Sequence, residues 1–181
     1  MEKVQIIFIL ISSSMLISNS QSTSHTSEKT AKFRVYIHQT LTGPNKTVYE
    51  VARSNITLTS PTSFGQVLVL DQLILATPDP SSEMLGRAQG VAIYSSLQEL
   101  AITVNINLVF TTGEYNGSTI CIVGRNPLSK SNNRETPIVG GSGVFRWARG
   151  YVISNVYSFD PESKYTVLEY NIYVVYSEQQ S

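Results

Sequence analysis

Ile102-Thr103-Val104-Asn105-Ile106-Asn107-Leu108-Val109-Phe110 alternates apolar with mostly polar side chains. A period of two is that of a β-strand with one buried face. An amphipathic helix would need apolar residues at spacings of three and four, and Asn105 and Asn107 interrupt that pattern. The turn residues Thr112-Gly113-Glu114-Tyr115-Asn116-Gly117 follow, and apolar character returns from Ser118 to Val123, which predicts a hairpin.

The same period extends in both directions. Phe33, Val35, Ile37 and Gln39 share one face of a first strand, with Arg34, Tyr36 and His38 on the other. Val48 to Leu58 is a weaker, mixed strand. Phe64 to Leu75 is strongly apolar and broken by Asp71. Gly86 to Ser95 reads as a strand whose two glycines signal a bulge or a close backbone approach. Gly124 to Pro137 reads as a polar loop. Val139-Gly140-Gly141-Ser142-Gly143-Val144-Phe145-Arg146-Trp147-Ala148-Arg149-Gly150-Tyr151 reads as a glycine-hinged entry into a strand, with Phe145 and Trp147 on one face and Arg146 on the other. Tyr165 to Tyr176 closes the pattern, with Tyr170, Ile172, Val174 and Tyr176 alternating. About eight strands, and no helical period of ten residues after the N-terminal region, predict an all-β domain, sandwich or barrel. A barrel is favoured because closure removes the edges of many long apolar strands. Its interior could also hold a small ligand.

The first twenty residues differ from the rest of the 181. A charged start, the run Val4 to Ile11, apolar except for Gln5, the following Ser12-Ser13-Ser14-Met15-Leu16-Ile17 and the small residues Ser18, Asn19 and Ser20 form the pattern of a secretory signal peptide over 1–20. Residues 21–31 are expected to be a flexible lead-in, and 32–178 the folded domain. No other stretch has the roughly twenty apolar residues a membrane helix needs. Three sequons begin at Asn45, Asn55 and Asn116 and fit a secreted glycoprotein. A single cysteine, Cys121, excludes an internal disulfide and is expected to be a small buried apolar group.

Formal net charge is zero, and no basic cluster points to nucleic acid or to a membrane surface. Two histidines, one of them in the lead-in, do not make a metal site, and no cofactor or redox centre is expected. Gly140-Gly141-Ser142-Gly143 lacks the final glycine and following helix of a nucleophile elbow. What remains is charge inside apolar strands, at Asp71, Arg87, Arg146, Arg149 and Glu169. Each sits on a solvated face or in a buried pair, because an unpaired buried charge is too costly. Asp71, set among Val69, Leu70 and Leu73 to Leu75, is the best candidate for an interior position. The ten tyrosines suit either an aromatic, hydroxylated ligand or the barrel exterior.

Tyr36-Ile37-His38, Thr42-Gly43-Pro44-Asn45, Gly86-Arg87-Ala88-Gln89-Gly90, Glu114-Tyr115-Asn116-Gly117-Ser118, Gly124-Arg125-Asn126, Arg134-Glu135 and the stretch from Val139 to Tyr151 follow one another in order. In that order and spacing the chain resembles the plant dirigent protein family, from about Lys32 to Tyr176. The resemblance implies an eight-stranded antiparallel β-barrel of the allene oxide cyclase type. It also implies a glycosylated homo-oligomer, dimer or trimer, secreted to the apoplast and used in defence or wall metabolism. Such proteins have no oxidative centre. A separate oxidase, a laccase or peroxidase, makes phenoxy radicals, for example from coniferyl alcohol, and the dirigent protein orients their coupling in lignan and phenylpropanoid biosynthesis. Related members act on quinone methides, as in pterocarpan formation.

Carried over by position, the resemblance leaves a modified pocket. Lignan-forming members have an acidic residue after the first-strand histidine, where this chain has Gln39. They have a tyrosine two residues after the Gln-Gly pair, where this chain has Ala92, and Tyr94 matches a second tyrosine beyond it. Their aspartate after the sixth strand is Asn126 here, and their arginine before the glycine-rich motif is Arg134. Arg134 and Asp71 are thus the charged groups available for catalysis, and Gln39, Ala92, Tyr94 and Asn126 the pocket wall. A carboxylic acid can protonate a quinone methide, whereas an amide only hydrogen-bonds. The expectation is steering of a phenolic other than the usual lignan precursor. The alternatives are a quinone-methide cyclase, or a module that binds wall phenolics or glycans without chemistry.

Overall fold

The computed structural model describes residues 27–177, so the expected signal peptide lies outside the described residues. Nine strands and one 3-10 turn follow in order: β1 (Glu28–Thr40), β2 (Val48–Ala52), β3 (Val67–Leu75), β4 (Met84–Tyr94), β5 (Ala101–Phe110), β6 (Thr119–Pro127), β7 (Arg134–Ser142), the turn Gly143–Phe145, β8 (Arg149–Asp160) and β9 (Tyr165–Ser177). All neighbours are antiparallel, in the order β1, β9, β8, β7, β6, β5, β4, β3. β1 then pairs with β3 through Tyr36–Leu75, Ile37–Ile74 and His38–Leu73, which closes eight strands into a barrel. β2 is an additional short strand on the rest of the β3 edge, from Val48–Leu70 to Ala52–Val67.

Alternation along β5 does what its sequence requires. Val104, Ile106, Leu108 and Phe110 are buried inside, while Thr103 and Asn105 face out. The middle of the barrel is filled by Val35, Ile74, Leu108, Ile120, Val152 and Ile172, all essentially without solvent contact. Interdigitated aliphatic side chains on closed strands are a packed core, not a pore. On β4 the strand approaches β5 so closely that a Cβ on Gly90 would lie 2.0 Å from the Asn105 carbonyl oxygen.

One end of the barrel is sealed by rings. Phe33, Phe110, Tyr115, Phe145 and Tyr176 surround one another, with Phe145 4.8 Å from Tyr115 and 5.3 Å from Tyr176 between centroids. Phe145 reaches this position because the chain does not run on as a strand after Ser142. Gly143 takes φ +60°, where a Cβ would lie 2.6 Å from the Ser118 hydroxyl, and Trp147 takes φ +63°. Two left-handed residues tighten the connection into a turn that drops Phe145 inward. The continuous strand expected through Phe145 and Trp147 is therefore corrected: Phe145 is fully buried, and Trp147 is 81% exposed.

Other boundaries also differ from expectation. β1 begins at Glu28, inside the stretch read as a lead-in, because residues 28–31 pair with Val174 to Ser177 of β9. The stretch from Gly124 to Pro137 is not one loop, since β6 runs to Pro127 and β7 starts at Arg134. Its polar residues conceal strand because some of them face into the barrel. Cys121 points outward, half-buried, with its thiol donating to Asn107 Oδ1 at 3.0 Å, so it is not a core group.

Candidate functional site

The end opposite the aromatic seal is polar inside. Tyr94, Ile102 and Asn126 stand side by side across β4, β5 and β6. Arg134, Ser154, Tyr170 and Val35 form a second such row across β7, β8, β9 and β1. Gln39 pairs with Thr166 near the end of β1. These side chains alternate with outward-facing neighbours, so strand parity turns Gln39, Ala92, Tyr94, Asn126 and Arg134 inward, each toward the strand end away from the seal. The wall beside Tyr94 is built from Ala88, Gly90 and Ala92 on β4, and small residues there leave room that larger ones would fill.

Arg134 is 5% exposed, and its Nε and Nη2 have no hydrogen-bond partner. Asn126 is also buried, with Oδ1 unpartnered. Most buried polar groups in proteins are paired, so these exceptions on the inner face, like His38 Nε2 on the outer one, call for an explanation. The Arg134 backbone carbonyl accepts a bond from the Ser154 hydroxyl at 3.2 Å, which fixes the chain but not the guanidinium. Burial lowers the pKa of Arg134, partly offset by the nearby Tyr170. Burial raises the pKa of Tyr170, partly offset by Arg134. Burial likewise raises that of Tyr94. At neutral pH the mouth therefore holds a cationic fork and two protonated phenols. It can donate to a ligand oxygen from Arg134 and accept a ligand hydroxyl at Asn126.

Gln72 is a member the sequence reading missed. It is buried on the inner face of β3, and its Nε2 donates to Gln39 Oε1 at 3.0 Å. The bond engages the Gln39 carbonyl oxygen and ties the two amides together. The signal was present in the sequence: Gln72 shares parity with Leu70 and Ile74.

Asp71 is corrected. It faces outward from β3, its side chain 50% exposed, where Arg87 Nε donates to Oδ1 at 2.5 Å and Gln89 adds a bond at 3.2 Å. It takes no part in the mouth. His38 also faces outward, buried against Tyr165, whose hydroxyl bonds to Nδ1. Among the described residues no Asp or Glu is buried. No group of three or more His, Cys, Asp or Glu among them could hold a metal ion. Two open clefts lie elsewhere. One of about 390 Å³ runs past Tyr49, Asp71 and Arg87 on the outer face. The other, about 320 Å³, lies at the sealed end beside Lys29, Glu114 and Tyr115. Arg134 and Asn126 line neither.

The family model described as Dirigent-like protein matches residues 30–175. The chain belongs to the plant dirigent family. It is 39% identical over 147 residues to Dirigent protein 1 of Arabidopsis thaliana, covering 81% of this chain and 79% of that protein. It is 35% identical over 147 residues to Pterocarpan synthase 1 of Glycyrrhiza echinata, covering 81% and 78%. Its barrel superposes on the solved structure of the pterocarpan synthase dirigent protein GePTS1 with a TM-score of 0.77 at 34% identity, covering 84% of this chain and 93% of that one. The eight-stranded dirigent barrel is thus the fold of this chain. No helix among the described residues is long and apolar enough to cross a membrane.

Proposed function

We propose that this dirigent chain binds phenolic radicals in its mouth and directs their stereoselective coupling, within lignan or other phenylpropanoid biosynthesis. The observation that carries the reading is the buried Arg134 fork, its Nε and Nη2 unpartnered, on the same inner face as the buried Asn126 and close to Tyr170. A separate laccase or peroxidase removes one electron and one proton from each phenol. Two such radicals then share their unpaired electrons in one C–C bond, a step with no net redox change. The protein need only hold the two rings in one relative orientation, through stacking and hydrogen bonds.

The carboxyl groups of the lignan-forming pattern are amides at Gln39 and Asn126. Without a buried acid, proton delivery to a quinone methide falls to weaker donors, so orientation is favoured over acid catalysis. The substrate accordingly departs from the usual lignan precursor. Similarity to pterocarpan synthases supports a second reading, cyclisation of a quinone methide without an oxidase.

Secretion to the apoplast and glycosylation belong to the same proposal. Asn45, Asn55 and Asn116 are all exposed and lie in turns, where an oligosaccharide can be attached without disturbing a strand. A homo-oligomer, dimer or trimer, is also proposed, supported by exposed apolar side chains such as Tyr49, Val51 and Val69 around β2 and β3.

The test is a panel of phenols, coniferyl alcohol included, oxidised by added laccase and scored by chiral chromatography. Enantiomeric excess for at least one phenol, abolished by Arg134→Ala, is expected. Racemic products throughout would overturn radical steering. Turnover of a quinone-methide precursor in the absence of laccase would select the cyclase reading instead.

A further inference from the structure

Arg134 stands where β7 is supported on one side only. The β6–β7 ladder ends at Ile122–Ile138. Beyond it comes Pro137, which has no N–H to offer β6, and whose ring lies where a Cβ on Gly124 would meet it at 2.9 Å. From Pro137 back to Arg134, β7 is paired with β8 alone. The residue just before Arg134, Asn133, has φ +56°. Something must hold that reversal if the Arg134 side chain is to enter the barrel at one angle.

A polar network on the outer face does so. Asn133 N–H donates to Asn155 Oδ1 at 2.8 Å. Asn155 Nδ2 donates to Glu169 Oε1 at 3.1 Å, and Asn171 Nδ2 donates to the same oxygen at 2.8 Å. Arg34 meets Glu169 Oε2 at 3.3 Å through Nη1, and its Nε donates to Asn171 Oδ1 at 2.9 Å. A further backbone bond, Val156 N–H to the Ser131 carbonyl at 2.9 Å, ties the same loop to β8. Asn155 is thus fixed from one side by a half-buried carboxylate and grips the residue before Arg134 from the other. Charge-assisted bonds of this kind are stronger than neutral ones, and Glu169 has its acceptor sites filled. Asn155 follows Ser154, whose hydroxyl bonds the Arg134 carbonyl. Two consecutive β8 residues therefore hold the two consecutive residues 133 and 134, one from each face of the sheet.

We infer that Asn155, anchored by Glu169 and Arg34, is a positioning residue that sets the entry angle of Arg134 into the mouth. It touches no ligand and acts through the backbone of Asn133. The inference rests on the reading of the mouth as the phenol-binding site.

The test uses the full chain and two independent readouts. Hydrogen exchange is followed in the peptide covering 131–136, with β9 as internal control. Coniferyl alcohol binding is measured by calorimetry in wild type, Asn155→Ala, Arg134→Ala and the double variant. Asn155→Ala is expected to speed exchange in 131–136 at least tenfold and leave β9 unchanged. It is also expected to weaken binding about tenfold, a loss that disappears in the Arg134→Ala background because both changes remove one interaction. Arg87→Ala, on the outer face, is expected to change neither readout. Unchanged exchange in 131–136, or an equal further loss of binding in the Arg134→Ala background, overturns the inference. If Arg134→Ala binds coniferyl alcohol as well as wild type does, that result counts against the proposed site; if wild type binds none, as a different substrate would give, the binding arm is run with the phenol that shows enantiomeric excess, and in either case exchange in 131–136 decides the positioning role. If Asn155→Ala does not fold, Glu169→Gln, which keeps an acceptor but loses the charge, is expected to give the same pattern at smaller amplitude.

Discussion

The two ends of the barrel are built from the same alternating strands but finished in opposite ways. At the sealed end five aromatic rings meet, and every inward group is apolar or finds a partner. At the mouth, Arg134 and Asn126 are buried with hydrogen-bonding atoms left free. A fold that needed only stability would treat the mouth as it treats the seal. Unpaired buried polar atoms cost on the order of 1–3 kcal/mol each. The seal supplies packing that can tolerate such a cost at the other end of the barrel.

The largest expected effect falls on the seal. Phe145 is fully buried among Phe33, Phe110, Tyr115 and Tyr176. Phe145→Ala is expected to cost about 3–5 kcal/mol through lost burial and the cavity left behind, read as a lower midpoint in urea. Whatever product stereoselectivity the folded fraction shows is expected to be unchanged. Altered stereoselectivity with normal stability would break the division between the two ends.

The next effect has the opposite sign. Arg134→Met keeps an unbranched side chain and removes a buried cation with two unpaired donors. Stability is expected to rise, by about 1–3 kcal/mol, while affinity for any phenolic ligand of the mouth falls more than tenfold. A thermal melt and a titration on the same sample check both. If stability fell along with binding, Arg134 would have a structural partner in the free protein, and the contrast between seal and mouth would fail.

The sequence made the barrel legible because parity survives wherever apolar and polar residues truly alternate, as in Ile102 to Phe110. Parity failed where both faces are apolar or where the inner face is polar. Around Asp71 the outward Val69 and Leu73 are as apolar as the inward Leu70 and Ile74, so only the pairing with Arg87 and Gln89 shows which way the carboxylate points. Asn126, Arg134 and Thr136 face inward at the mouth, and a polar inner face next to polar outer residues looks like a loop. The pocket positions 39, 92, 94, 126 and 134 came from family resemblance, and strand parity turns their side chains inward. Gln72, Ser154, Tyr170 and the Asn155 network could not come from that source. Parity alone turns Gln72 inward with Leu70 and Ile74, but its bond to Gln39, and the parts played by Ser154, Tyr170 and the Asn155 network, emerge only when the strands are closed and cross-strand neighbours are known.

The smallest effect concerns the turn that makes the seal possible. Trp147 has φ +63° and is 81% exposed, so its ring contributes little burial while its backbone sits where a bulky L-residue is strained. Such strain costs on the order of 1–3 kcal/mol. Trp147→Gly relieves it, but glycine gives the unfolded chain more freedom, which returns about 0.5–1 kcal/mol. The two terms partly offset one another, and a net gain centred on about 1 kcal/mol over wild type is expected. Gly143→Ala in the same turn is the contrast. Its φ of +60° and the Ser118 hydroxyl 2.6 Å from the new Cβ admit no compensating gain, so it should destabilise clearly. A large loss in Trp147→Gly, measured by chemical denaturation of the isolated chain, would mean that the indole packs against a surface. Trp147 would then belong with Phe145 as part of the seal rather than being the outer end of the turn that delivers it.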